Sequence, residues 1–402
     1  MTTKGSKPQR YLFLYFALLS TLGLFASDMY LPALKQIQEY FSTNPGTVAL
    51  SMSVYMVSFS IAQLLYGPIS DQVGRKLPLL VGLVIFLVGT LGCVYSANIT
   101  MFLIFRAVQA LGVGAAYVMW QPMVIDSFAG DDVHKLFARL MALGSISPAF
   151  APVLGGLMAD SFGWQSVFGL LIGITIVLIG WTLSGYQQNH VSSSPSDNLL
   201  LGALKNYQYL LRSNTFITFS IPMACGIAMY LVILTLLPLI FSGLGYAAKS
   251  IGLMYLPLVL AFLLGAELSR RSYNRLGVQG SAMTGILLGC IGATTLLTVA
   301  LLDGWHTRWL LMLPFALVTL GNGFLIPASM AHLMQYYSDC SGSCASLVGG
   351  LMALAGFFTI FIASSTWDTW GMLAMVSIIF VSALVMLCSF LFGIKGVATL
   401  AS

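Results

Sequence analysis

Charge is what this sequence has least of. Asp, Glu, Lys and Arg make up 7% of its 402 residues, where a soluble domain carries roughly 25%. A surface so poor in charge does not face water, so soluble architectures are excluded. Histidine is scarce as well: His134, His190, His306 and His332 are scattered, with no H-E-x-x-H pair for a hydrolytic metal. No G-x-x-x-x-G-K-[ST] loop is present to cradle a nucleotide phosphate. A nucleotide-driven pump and the common membrane enzymes are thereby disfavoured. Six cysteines form no spaced framework. Cys93, Cys225, Cys290 and Cys388 fall in apolar runs, where a small thiol packs well. Cys340 and Cys344 fall in an expected cytoplasmic loop, a reducing compartment, so free thiols and no metal are expected. The formal net charge of +5 sits in short loops without interleaved aromatics, and no nucleic-acid partner is implied.

Apolar residues, by contrast, make up 58% of the chain. They fall in twelve runs of about 20 residues, the length that crosses a bilayer as an α-helix. The expected spans are 11–31, 47–67, 77–96, 101–124, 136–159 and 164–184, then 216–240, 251–268, 281–302, 308–331, 344–365 and 370–393. A transmembrane β-barrel would instead show alternating segments of about 10 residues. The first run is too long for a signal-peptide core, and Asp28-Met29-Tyr30-Leu31-Pro32 is no small-residue cleavage site. The lipid bilayer is therefore a partner, and the expected fold is an all-α membrane protein.

Loop Lys and Arg set the orientation. With the N-terminus inside, Arg75, Lys76, Lys135, Arg139, Lys205, Arg212, Arg270, Arg271, Arg275 and Lys395 are cytoplasmic, and only Lys35, Lys249 and Arg308 lie outside. Both termini are expected in the cytoplasm. The longest polar interruption, rich in Ser and Pro, falls midway and reads as a linker. This divides the chain into an N-terminal six-helix bundle (1–184), a cytoplasmic linker (185–212) and a C-terminal six-helix bundle (213–402). The halves echo each other weakly: Tyr30-Leu31-Pro32 against Leu236-Leu237-Pro238 at the end of each first helix, and Gly67-Pro68-Ile69-Ser70-Asp71 against Gly265-Ala266-Glu267-Leu268-Ser269 at the end of each second. Such parallel duplication is a transporter signature, with the substrate near the midplane.

Arg106 stands inside the fourth span. Holding a guanidinium in a bilayer costs between ~2.5 and well over 10 kcal/mol, a cost tolerated mainly beside an acid or water. Asp28 is the one acid clearly inside another span. Asp28 lies near the outer end of an outward-running helix and Arg106 about five residues into an inward-running one, so their depths match. Desolvation and a cationic neighbour act on such a carboxylate in opposite senses, which makes Asp28 the candidate proton carrier, with Glu267 second. At 100° per residue, Arg106, Gln109, Val113, Tyr117 and Trp120 fall within about 80° of one another, flanked by Gln121. Thr21, Leu24 and Asp28 share a face of the first span, with Phe25 beside them. These side chains, with Tyr230 in the seventh span, are the expected substrate cavity. Asp71, Arg75 and Lys76, spaced by Gly67 and Gly74, form a candidate conformational latch at the second span's inner mouth. Ser147, Pro148, Ala151, Pro152, Gly155 and Gly156 predict a kinked, closely packed fifth span.

Gly67-Pro68-Ile69-Ser70-Asp71-Gln72-Val73-Gly74-Arg75-Lys76 resembles the loop signature G-x-x-x-D-x-x-G-R-K of the major facilitator superfamily. Arg106-x-x-Gln109-x-x-Gly112 resembles the fourth-helix motif of its proton-coupled members. Ala151-Pro152-Val153-Leu154-Gly155-Gly156 resembles the fifth-helix antiporter motif, with Ala151 where Gly is usual and Ser147 at an upstream glycine position. With Asp28-Met29-Tyr30-Leu31-Pro32-Ala33-Leu34 and Gln63-Leu64-Leu65-Tyr66-Gly67-Pro68, the chain is similar to the Bcr/CflA-type drug:proton antiporters. The second copy of the loop signature keeps Arg270, Arg271 and Arg275 but has Ser269 in place of the acid. The resemblance implies a major facilitator fold, a small-molecule substrate, no cofactor beyond a proton gradient, a monomer, and multidrug efflux across a bacterial inner membrane. A dedicated exporter of an endogenous metabolite, such as a carboxylate-bearing siderophore or a nucleoside, is the alternative.

Overall fold

The computed structural model describes residues 9–127, 131–185, 199–302 and 308–400. Among them every regular element is a helix, as expected for chain in lipid, where each backbone polar group needs a partner within its own segment. The helices are α1 (Gln9–Asp28), α2 (Leu34–Tyr40), α3 (Pro45–Val73), α4 (Lys76–Val94), α5 (Ile99–Ser127), α6 (Asp131–Phe162), α7 (Gln165–Gly185), α8 (Leu199–Leu211), α9 (Asn214–Gly243), α10 (Ala248–Leu301), α11 (Arg308–Tyr336), α12 (Ser341–Trp370) and α13 (Met372–Leu400). Ten stretches of the described residues are long and apolar enough to cross a membrane. The 54-residue α10 carries two of the twelve expected spans, broken by Gly277 at φ 63°. The remaining span is α6, which carries Pro148 and Pro152 within it.

Several boundaries differ from the sequence pattern. The first span stops at Asp28, and Leu31–Ala33 forms a 3₁₀ turn leading into α2. Pro238, expected to close the seventh span, lies inside α9, which runs on to Gly243. Gly67 is likewise inside α3, whose end is Val73. Proline is tolerated inside membrane helices because neighbouring groups satisfy the freed carbonyl. The eighth span passes through 265–269 and breaks at Gly277 instead. Part of the polar interruption is helical, as α8, and Cys344 is a buried residue of α12 rather than of a loop.

The chain forms two compact units. One comprises Met1–Ala33 and Ser58–Asp197, the other Leu34–Val57 and Asn198–Ser402. Helix α3 belongs to both, its first half grouping with the second unit. Within each unit, glycine brings helices into backbone contact. In the first unit a Cβ at Gly112 of α5 would overlap the backbone of Phe86 on α4, and one at Gly89 would overlap Gln109. In the second, a Cβ at Gly321 of α11 would lie 2.5 Å from the Gly285 carbonyl oxygen of α10. Apolar area adds little to helix association in lipid, so close van der Waals packing of this kind holds the helices together.

Candidate functional site

The site begins at the break between α1 and α2. The α1 ladder ends with the Met29 amide donating to the Phe25 carbonyl at 3.0 Å, which leaves the carbonyls of the last turn open to side-chain donors. Arg106, on α5, uses one of them. Its Nη1 donates to the Ala26 carbonyl at 3.0 Å and also to Oε1 of Gln109. The guanidinium carbon lies 4.1 Å from the centroid of the Tyr30 ring, a cation–π contact worth more when desolvated. Gln109 passes the chain on: its Nε2 donates to the Thr90 hydroxyl on α4 at 2.9 Å, and Thr90 donates to the Phe86 carbonyl at 2.6 Å. Arg106, Gln109 and Thr90 are all fully buried. Phe102, Trp164 and Phe168 meet edge to face, and Phe168 reaches Tyr30 at 6.2 Å. This ring cluster backs the tyrosine that covers the arginine.

Asp28 is 5% exposed, and its Oδ1 accepts the Ser27 hydroxyl at 2.7 Å. Arg106 grips α1 two residues before Asp28 and stacks on the ring two residues after it. Nη1 of the guanidinium bonds to the Ala26 carbonyl and Gln109. At the same break stands α6, where a Cβ on Gly155 would overlap the Met29 carbonyl oxygen. Segment 28–30 is thus held both by Arg106 and by the glycine of the fifth-span motif. Ser147 and Ala151 are buried on α6, as are Pro152 and Gly156, and Pro148 is half-buried. The two prolines deprive the carbonyls of Gly144 and Pro148 of their ladder donors, which bends the helix.

The remaining candidates divide. Val113 and Trp120 are buried, whereas Tyr117 is 38% exposed and Gln121 is exposed, so the α5 stripe is covered at its Arg106 end and open further along. Tyr117 meets Phe59 of α3 edge to face at 5.1 Å. Phe25 lies 6.5 Å from Phe150 of α6, Leu24 is half-buried, and the Thr21 hydroxyl is turned to its own helix at the Ala17 carbonyl, 2.7 Å away. Tyr230 stands on α9 in the second unit. At the expected latch, Gly74 has φ 85° and forms the turn between α3 and α4, a left-handed conformation that suits glycine. Arg75 Nη1 donates to the Ser70 hydroxyl at 2.6 Å, and Lys76 Nζ reaches the Leu183 carbonyl of α7 at 3.2 Å. The side chain of Asp71 lies outside the described residues. Glu267, the second candidate acid, is a half-buried residue paired with the exposed Arg270 at 2.8 Å and Arg271 at 2.6 Å. Three members of the cluster carry little signal in the sequence. Thr90 is one hydroxyl in an apolar run, Ser27 a small residue beside an acid, and Tyr30 one aromatic in a motif marked by its acid and proline.

A family model described as Major Facilitator Superfamily matches residues 16–364. The chain belongs to the major facilitator superfamily. It is accordingly a multi-pass membrane transporter of small molecules and not an enzyme. Among relatives of this superfamily member, Multidrug resistance protein D of Escherichia coli (strain K12) is 26% identical over 345 residues, 85% of this chain and 85% of that protein. The Chloramphenicol resistance protein of Pseudomonas aeruginosa is 25% identical over 350 residues, 84% of this chain and 80% of that protein. The D-xylose-proton symporter crystal structure matches with a TM-score of 0.73 at 14% identity, covering 94% of this chain and 97% of that one. A bacterial homolog of the human lysosomal transporter Spinster, inward-facing and occupied, also scores 0.73 at 14% identity, with 98% and 96% covered. At that identity the structures show a shared facilitator fold and nothing finer.

Proposed function

We propose that this facilitator is a proton-driven exporter of small amphipathic compounds, drugs and antibiotics among them, working by alternating access. The observation that carries the reading is the fully buried Arg106 bonded to the α1 backbone two residues from the buried Asp28. Ionisable residues inside a membrane protein are costly, and for that reason they mark substrate, ion or proton pathways. Asp28 takes the coupling proton. With Asp28 ionised, the field of Arg106 stabilises it; with Asp28 neutral, the guanidinium keeps its Ala26 and Tyr30 contacts, so the segment changes charge without losing its anchor. The compound crosses along the Thr21, Leu24 and Phe25 face of α1 and the Val113, Tyr117, Trp120 and Gln121 stretch of α5, with Tyr230 contributed by α9. The turn at Gly67, Asp71, Gly74, Arg75 and Lys76 acts as the conformational latch. The names of the resistance-protein relatives support the substrate class. The transporter works as a monomer in a bacterial inner membrane, both termini cytoplasmic.

The test is Asp28→Asn in everted membrane vesicles. An imposed pH gradient should drive uphill chloramphenicol transport in the parent and none in the variant, while exchange of labelled for unlabelled compound persists. Undiminished uphill transport by Asp28→Asn would show that the proton travels elsewhere.

A further inference from the structure

The glycine contacts align the two units residue by residue. In the first, a Cβ on Gly23 of α1 would lie 3.8 Å from Cγ2 of Val113 on α5. In the second, a Cβ on Gly226 of α9 would overlap the side-chain amide oxygen of Asn322 on α11. Val113 directly follows Gly112, and Asn322 directly follows Gly321. Both glycines pack on the preceding helix in the same manner, Gly112 against Gly82 and Gly321 against Gly285. Asn322 therefore occupies the place of Val113, an amide in exchange for an isopropyl group. In the same alignment the counterpart of Arg106 is Phe315, fully buried and apolar. The second unit has no charged clamp at that position, yet it has a polar side chain where the first unit has none.

Asn322 is 4% exposed, and its Nδ2 donates to the Gly226 carbonyl at 2.8 Å. That carbonyl lies in the interior of α9, so the amide takes its second lone pair. The approach requires the missing Cβ of Gly226. We propose that Asn322 is a positioning residue that clamps α9 to α11, the uncharged counterpart of the Arg106 clamp on α1. It acts through α9 on Tyr230, one turn beyond Gly226. An amide does not titrate, so a change of pH does not by itself break the α9–α11 bond. The Asn322 clamp does not rest on the proton-coupling proposal.

Hydrogen exchange of the full chain in lipid nanodiscs tests the clamp without any transported compound. Asn322→Leu keeps the branched four-atom side chain, with somewhat larger terminal groups, and removes the donor. It should speed exchange of the α9 amides around Gly226 roughly three- to tenfold, the loss expected for one net hydrogen bond, with α1 and α5 unchanged. Asn322→Asp, whose buried carboxyl stays neutral and retains a donor, should keep the parent's protection at pH 5. Parental protection in Asn322→Leu would assign Asn322 to packing alone and overturn the proposal.

Discussion

Arg106 is held by three different kinds of contact at once: a backbone carbonyl, a side-chain amide and an aromatic face. A planar guanidinium supplies all three from one group, whereas an ammonium is a compact point charge on a flexible stem. Arg106→Lys should therefore retain the charge and lose the geometry. Transport should fall roughly 10- to 100-fold, the equivalent of one charge-assisted hydrogen bond at about 1.5–3 kcal/mol, with normal membrane insertion. Proteoliposome flux against a pH gradient measures it, and full flux would reduce the role of Arg106 to its charge. Gln109 matters for a related reason. It accepts from the arginine and donates to Thr90, so it links α5 to α4 while fixing the guanidinium.

At the scale of elements, the consequential contact is between α6 and the break after α1. Gly155 touches the Met29 carbonyl, one residue from Asp28 and one from the Tyr30 that covers Arg106. Movement of α6 and displacement of the Asp28 segment are thus mechanically joined. Gly155→Ala forces a methyl group against that oxygen. Overpacking of this kind costs about 1–3 kcal/mol, so the variant should show a lower Tm and a transport defect. Near-parental values of both would mean that the contact relaxes freely. The α3–α4 turn offers a second measurement. Gly74 sits at φ 85°, where a Cβ costs about 1–2 kcal/mol, so Gly74→Ala should also lower the Tm, while Gly144→Ala, at a helical position with open space around the added Cβ, should not.

For the whole molecule, the two units are built to the same packing scheme but carry different chemistry. Glycine contacts repeat between α4–α5 and α10–α11, while the charged cluster belongs to the first unit. Fusing a fluorescent protein that matures only in the cytoplasm after Ser402 checks the expected orientation. Bright cells are expected, and dark cells with full-length protein in the membrane would reverse the topology. That orientation follows from Lys and Arg in the loops, not from packing.

Composition and run length alone determined that the chain spans a membrane as helices, because lipid admits only helices and closed barrels and continuous runs of about 20 residues fit the helix. Local motifs placed Arg106, Asp28 and Gly155 in a family and marked them as functional. An ionisable side chain in lipid is costly and so marks a pathway, and a motif glycine marks a close backbone approach. Periodicity grouped Arg106 and Gln109 with Tyr117 on one face of α5. It did not reveal that the first two are sealed against α1 and α4 while Tyr117 is partly exposed, because burial depends on the neighbouring helices. The guanidinium's attachment to the Ala26 carbonyl, the roles of Thr90, Ser27 and Tyr30, and the contact of Gly155 on Met29 were decided by tertiary structure. So was the bond from Asn322 to Gly226. Each joins or orders groups through the packing of separate helices, and hydrogen bonds and backbone contacts of a few ångströms leave no trace in local spacing. Break positions followed the same division: Pro238 signals a helix end in sequence, but packing around α9 carries the helix past it.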